Sequence, residues 1–199
     1  MKRSGMAVPS TDLFGGSLPS YVNPNDVVIT RPEIAEMVVK HFNPKGRMLD
    51  PCRGGGAFWQ HMPGADWCEV REGKDFFEWT APVDWIVSNP PFSVFMQFLR
   101  HSFEVADNVV YTIPASKIWQ SIPYLEMIGA YGGIREILTL GRGRAIGMPF
   151  GFAIAAVHFK RGYKGQTRIH YPPNKEICGK AGQRDKNGAL AGGNELSDA

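Results

Sequence analysis

Arg47-Met48-Leu49-Asp50-Pro51-Cys52-Arg53-Gly54-Gly55-Gly56-Ala57-Phe58 decides the fold. Arg47 to Leu49 reads as a short strand that delivers Asp50 into a turn. Three successive glycines permit a tight turn and let a ligand approach the backbone, because no Cβ stands in the way. Phe58, Trp59 and Met62 suggest a short helix after it. Strand, glycine turn and helix make the first βα unit of a nucleotide-binding α/β fold. The run is not a dinucleotide fingerprint, since Trp59 stands where GxGxxG needs glycine or alanine. Taken alone, the same glycines would serve a plain tight turn.

Upstream, Thr30-Arg31-Pro32-Glu33 opens a helix. Thr30 is placed to cap it, Glu33 completes a capping box, and Pro32 is tolerated in the first turn. Ile34, Met37, Val38 and His41 follow at helical spacing, and His41 reads as a packed or boundary histidine. Residues 1–26 are rich in Gly, Pro, Ser and Asn, with isolated apolar positions at Leu13, Phe14, Leu18 and Tyr21. They read as a loose arm with a few anchors, or as a segment that closes over a ligand.

Downstream, Ala65 to Val70 reads as the second strand. It ends near Glu69, where a Rossmann-like sheet places the carboxylate that accepts from a ribose diol. An exposed charge at a strand end would look the same, and Glu72 is the second candidate. Gly73 to Trp79 is a third strand or a loop. There Asp75 can accept from an adenine amine while Phe76 packs on the ring, unless they are simply a loop carboxylate and a core aromatic.

Val83-Asp84-Trp85-Ile86-Val87-Ser88-Asn89-Pro90-Pro91-Phe92 reads as a buried strand running into a stiff loop. Two prolines fix φ and remove two N–H donors, so the loop carbonyls stay free to accept. The Asn89 oxygen adds an acceptor and Phe92 an aromatic face. Such a loop suits a planar group bearing an NH2: adenine, cytosine, guanine or a carboxamide.

A helix is expected from Val94 to Ala106, then a strand buried on both faces from Val109 to Ile113. Pro114-Ala115-Ser116-Lys117 follows, then a helix from Tyr124 to Tyr131 and a strand from Ile134 to Leu140. A glycine-rich loop carries Arg142, Arg144 and Phe150, and Phe152 to Phe159 is the last strand. The final two strands are expected to form an antiparallel hairpin at one sheet edge. Beyond Gly162 apolar periodicity fades into a basic tail, disordered from about Gly179.

The chain has 199 residues, 43% hydrophobic and 21% charged, with net charge +3. That fits one soluble domain over 27–165, flanked by the arm and by a tail over 166–199. The mild basicity permits a polyanionic partner without requiring one. Cys52, Cys68 and Cys178 form no CxxC, so neither a disulfide framework nor a metal site is expected. No signal peptide and no membrane span are legible, and a cytoplasmic location is expected.

With both loops placed, the chain resembles the S-adenosylmethionine-dependent amino-methyltransferases of the N6-adenine type. Asn89-Pro90-Pro91-Phe92 matches that family's (D/N)PP(Y/F) catalytic loop, and Asp50 to Phe58 resembles its DPxxGxGxF cofactor loop. Arg53 stands where the family has a small or uncharged residue. Helix, cofactor loop and catalytic loop come in the gamma-like order. Ala153 to Lys160 also resembles the group's last strand. The resemblance spans about residues 28–164 and implies a Rossmann-like class I fold, with a mostly parallel sheet, helices on both faces and an antiparallel C-terminal hairpin.

The resemblance also implies the cofactor, S-adenosyl-L-methionine, and its contacts. Asp50 would take the methionine amino group, Gly54, Gly55 and Gly56 the close backbone approach, Glu69 the ribose and Asp75 the adenine amine. Thr30, Pro51, Cys52, Phe58, Phe76 and Asn89 complete that site. Asn89, Pro90, Pro91 and Phe92 would be catalytic. Phe92 and Phe150 would sandwich a flipped base, and Lys117, Arg142 and Arg144 would meet phosphates. A nucleic-acid partner is implied, DNA ahead of RNA, for a monomer or homodimer of the kind carried by phages and mobile elements. No segment is long enough for a separate target-recognition domain. The alternatives are RNA adenine methylation, glutamine methylation on protein, and a non-catalytic nucleic-acid-binding relic, which the intact loops argue against.

Overall fold

The computed structural model describes residues 18–23, 26 and 28–172. The expectations for Leu13, Phe14, Cys178 and the tail beyond residue 172 lie outside the described residues. Helix α1 (Pro32–Phe42) buries Ile34, Ala35, Val38, Val39 and Phe42 along one face. Its cap departs from expectation: Arg31 is the N-cap and no side chain bonds there. The Thr30 hydroxyl instead serves Asn89, at 3.1 Å.

Strands β1 (Met48–Asp50), β2 (Asp66–Trp67), β3 (Val83–Ser88) and β4 (Ala106–Pro114) pair in parallel, with helix α2 (Phe95–Val105) crossing between the last two. Helix α3 (Ile122–Tyr131) then leads to β5 (Gly132–Arg142), β6 (Ala153–Arg161) and β7 (Arg168–His170). The seven strands lie in the order β2-β1-β3-β4-β6-β5-β7. β6 is antiparallel to both β4 and β5, and β7 is parallel to β5.

Successive residues of the central strands point to opposite faces. Ile86 and Val109 join the core under α2 and α3, with Phe95, Phe98, Tyr124 and Ile128. Val87 and Val110 join the core under α1, with Ile34 and Val38. Both faces are dry, which is why these strands read as unbroken apolar runs.

Two expectations need correction, and one open choice is resolved. The second strand is only two residues long, and Glu69 makes an isolated bridge with Lys74. Its carboxylate turns back to cap the 3-10 turn Val70–Glu72, accepting from Arg71 N. Gly73 to Trp79 forms no strand, because Asp75 caps a second 3-10 turn, Phe76–Glu78. The closing hairpin is antiparallel, yet neither of its strands is the edge: β6 lies inside and β7 covers β5. β7 falls in the stretch read as tail. Its Ile169 is 58% exposed, so no buried alternation marks it in the sequence.

From β1 the chain moves outward to β2, then crosses back to β3 on the other side. That reversal opens a crevice at the carboxyl ends of β1 and β3. The Asp50 loop and the Asn89 loop leave the sheet there. Among the described residues, no helix is long and apolar enough to cross a membrane.

Candidate active site

A cavity of about 540 Å3 fills this crevice, within the usual range for small-molecule sites. Gly54, Gly55, Pro51, Cys52 and Phe58 form one wall, and Asn89, Pro91, Phe76 and Phe98 another. Glu69, Arg71 and Glu72 lie at one side, and the described strap residues before α1, Tyr21, Val22, Asn23, Asp26 and Val28 to Thr30, line another. Gly54 and Gly56 have φ of 51° and 84°, conformations that cost glycine nothing. A Cβ on Gly54 or Gly55 would meet no atom within 4 Å, so this backbone fronts open space. Gly56 is buried beneath the turn and does not line the cavity.

Asp50 is wholly buried behind that wall. Its Oδ1 accepts from Ser88 Oγ at 2.6 Å and from Cys52 N at 3.4 Å, while Oδ2 is buried with no hydrogen-bond partner. Burial pushes the carboxyl up to about 7, and the bond from Ser88 only partly opposes this. A cation beside Oδ2 would bring the carboxyl back down. The Cys52 thiol, at 3.0 Å from Ser88 Oγ and 3.3 Å from Asn89 O, is pushed well up by burial. It packs as a neutral link between the two loops.

Glu69 ties the glycine turn to the second strand end. Its Oε2 accepts from Gly54 N at 2.8 Å and its Oε1 from Arg71 N at 3.2 Å. Each oxygen keeps a lone pair for a further donor. Arg53 is held off the cavity centre: its guanidinium pairs with Glu72 and lies 3.8 Å from the centroid of Trp67. Glu72, the second acidic candidate, is committed to that pair.

The Asn89 amide is oriented by the strap. Its Nδ2 donates to Thr30 Oγ1 at 3.1 Å and to Val28 O at 3.3 Å. Val28 O can only accept, so the nitrogen must face the strap. Oδ1 is thereby left buried with no partner, and such an acceptor is costly unless a ligand donor meets it. Asp26 fixes the same loop further along, with Oδ2 accepting from Ser93 N at 2.7 Å.

Other candidates fall outside the cavity wall. Asp75 does not line it: Oδ1 accepts from Phe77 N at 2.9 Å, and Tyr21 packs edge-on to Phe77 beside it. Phe92 and Phe150 do meet, tilted with centroids 5.7 Å apart. That gap is shorter than the ~7 Å a sandwiched base needs at the ~3.4 Å spacing of stacked bases, so one ring must yield to admit it. Phe150 in turn stacks on Phe152 at 4.2 Å. Gly143 permits this, because a Cβ there would sit 2.6 Å from Phe150 O. Lys117 lies half-buried in the turn after β4, and Arg142, the last residue of β5, and Arg144, in the turn after it, are exposed. Pro90 is buried behind Pro91.

Sequence reasoning missed Ser88, Val28 and Asp26 as positioning groups. Ser88, as a polar residue closing an apolar strand next to the loop, was the legible signal. Nothing in the sequence marks a backbone carbonyl such as that of Val28. Trp119, 64% exposed in the same turn as Lys117, was also missed.

No family model matches the chain, and no curated protein does. Solved structures do resemble it. A putative class I S-adenosylmethionine-dependent methyltransferase from Listeria monocytogenes has 11% identity and a TM-score of 0.55, over 78% of this chain and 70% of that one. A modification subunit of a putative type I restriction enzyme from Vibrio vulnificus has 13% identity and a TM-score of 0.53, over 73% of this chain and 46% of that one. A putative RNA methyltransferase from Pyrococcus horikoshii has 14% identity and a TM-score of 0.51, over 72% of this chain and 92% of that one. The chain therefore spans under half of the Vibrio subunit and most of the Pyrococcus protein. At these identities the likeness is one of architecture, and the architecture is the Rossmann-like fold of the class I methyltransferases.

Proposed function

We propose that this chain transfers a methyl group from S-adenosylmethionine to the N6 amine of an adenine in DNA, unpaired or flipped from its duplex. The observation that carries the reading is the buried, unpartnered Oδ1 of Asn89, fixed by bonds from its own Nδ2 to Val28 O and Thr30 Oγ1. An acceptor held this way suits an NH2 group and nothing anionic.

The residues present fit the cofactor. The glycine backbone fronts the cavity and Glu69 lies at its side, while Asp50 stands behind that wall with Oδ2 unpartnered, so an ammonium group would reach it only if the wall opens. When bound, S-adenosylmethionine supplies a methyl group on a sulfonium, already a good leaving group. The adenine N6 lone pair is delocalised into the ring and is a poor nucleophile. Accepting its hydrogens at Asn89 Oδ1 and the Pro90 carbonyl favours a pyramidal nitrogen, and these contacts strengthen as positive charge builds on it. With the donor bound, the new N–C bond would form at the expense of its C–S bond, whose electron pair would stay on sulfur, and this chain's part is to hold N6 in line for it. The methylated ammonium then loses its extra proton to water, so no strong base is needed. Phe92 offers the stacking face. The base must leave its stack to reach the loop. The exposed Arg142 and Arg144 support a polyanionic substrate.

The test supplies methyl-labelled S-adenosylmethionine with DNA, RNA or protein extract, then identifies the labelled unit by mass spectrometry. N6-methyladenine in DNA is expected, and Asn89→Ala should lower turnover by about 100- to 1,000-fold. Label in RNA adenine or in glutamine would move the substrate class. Label undiminished in Asn89→Ala would overturn the role of the loop.

A further inference from the structure

His41, Glu136 and His170 come from three separate elements: the end of α1, the first half of β5 and the last residue of β7. Their ligand atoms all lie within 4.8 Å of one another. Glu136 Oε2 is 3.1 Å from His170 Nε2 and 4.0 Å from His41 Nε2. Tetrahedral ligands at about 2.0–2.2 Å from a zinc ion stand roughly 3.4 Å apart, and the two distances bracket that spacing. The imidazoles of His41 and His170 also touch, edge to face, with centroids 4.9 Å apart.

Two further observations favour an ion over a pair of ordinary salt bridges. His170 Nε2 is shielded from solvent and makes no hydrogen bond, although a carboxylate oxygen stands 3.1 Å away. A nitrogen at contact distance but out of line with its neighbour is placed as a co-ligand is. The Glu136 oxygens are also divided. Oε1 is taken by His158 Nδ1 at 3.4 Å and Arg135 Nε at 3.7 Å, which leaves Oε2 to the two histidines. The buried His158, stacked on Trp85, thus orients the carboxylate from behind, as outer-shell partners do. Arg135 lies on the Oε1 side, and Arg168 is the strand partner of Glu136. These positive charges oppose a bound cation, so the ion must be held by direct coordination to the imidazoles and the carboxylate.

We infer that His41, Glu136 and His170 form a site for a divalent transition-metal ion of the zinc class, which clasps α1 and the edge strand β7 to β5. Two imidazoles and one carboxylate suit zinc, cobalt or nickel, whereas magnesium and calcium prefer all-oxygen sets. The site lies toward the opposite end of β5 from Arg142 and does not depend on the proposed methyl transfer.

The test uses the full, untagged chain after treatment with a chelator. Titration with Co2+ should give one equivalent bound with visible absorption, displaced by Zn2+ and unaffected by Mg2+. Calorimetry with Zn2+ should show a single tight site, and zinc should raise the melting temperature. His41→Gln and His170→Gln, each checked for native circular dichroism, should weaken zinc more than ~100-fold, since even outer-shell partners are worth about 10–100-fold. His61→Gln, outside the cluster, should bind normally. In the wild-type chain itself, zinc should shift the imidazole resonances of His41 and His170 and not that of His101. Absence of stoichiometric binding, binding that survives both His variants, or shifts confined to other histidines would each overturn the inference.

Discussion

At the scale of single residues, the site rests on two acceptors without donors, Asn89 Oδ1 and Asp50 Oδ2. Asp50 is the more informative, because its environment makes a pH-dependent prediction. Burial raises its carboxyl to about 7 from an ordinary value of 3.8. Between those values the native chain keeps a proton that the unfolded chain has released. Stability therefore falls as pH rises through that window. The effect reaches a few kcal/mol at most, at about 1.4 kcal/mol per unit. Buried His158, held well below its ordinary range chiefly by desolvation, acts in the opposite sense over much of the same window. The wild-type profile alone therefore hides the Asp50 contribution. The difference between Asp50→Asn and wild type isolates it. Urea unfolding should show the variant gaining relative stability from pH 4.5 to pH 8 and binding S-adenosylmethionine poorly at either. A pH-independent difference would mean that Asp50 is ionised throughout.

At the scale of elements, the closing strands are held by backbone fit that leaves little room for side chains. Gly132 opens β5, where a Cβ would sit 2.2 Å from Lys160 O and 2.5 Å from Gly162 N. Those are main-chain atoms, and Gly162 N is already bonded to Tyr131 O at 2.9 Å, so they cannot swing aside. Gly132→Ala should cost ~2 kcal/mol or more, in the range of overpacked sites, whereas Gly129→Ala, with open space at its Cβ, should be neutral or mildly stabilising. Thermal melts of the two variants make the comparison. The same contrast explains what the sequence made legible. Central strands buried on both faces, such as β4, and the amphipathic α2 announce themselves by apolar residues. The glycine and asparagine loops are legible because few residue types can do their work. β7 is short, exposed and specified by its neighbour's backbone, so composition carries no trace of it, whereas β2 was legible within residues 65–70 but proved only two residues long. The capping role expected of Thr30 failed for a related reason: its hydroxyl serves a partner 59 residues away, and no local pattern reports that.

At the scale of the molecule, the parallel strands point their carboxyl ends one way, and β5 runs with them. The glycine loop after β1, the Asn89 loop after β3, Lys117 after β4 and Arg142 at the end of β5 therefore share one face. Charge on that face is the feature that matters for a polymer. Net charge over the whole chain is only +3, too small to give strong nonspecific attraction. On the proposed reading, affinity for DNA would come from these local cations together with exposed aromatics, Trp119 at 64% and Phe152 at 46%. Each phosphate neutralised on duplex DNA contributes about 0.9 to the slope of log affinity against log salt, and about 0.7 on a single strand. If Lys117, Arg142 and Arg144 each meet a phosphate, replacing all three with glutamine should flatten the slope by roughly 2 to 3 and weaken binding at low salt. All three side chains lie off the cavity wall, so S-adenosylmethionine affinity should be unchanged. Fluorescence anisotropy of labelled duplex and single-stranded oligonucleotides from low to moderate salt gives both numbers. A slope unaltered in the triple variant would place the polymer on another face. An altered slope on the single strand alone would make an unpaired adenine the substrate, and base flipping unnecessary.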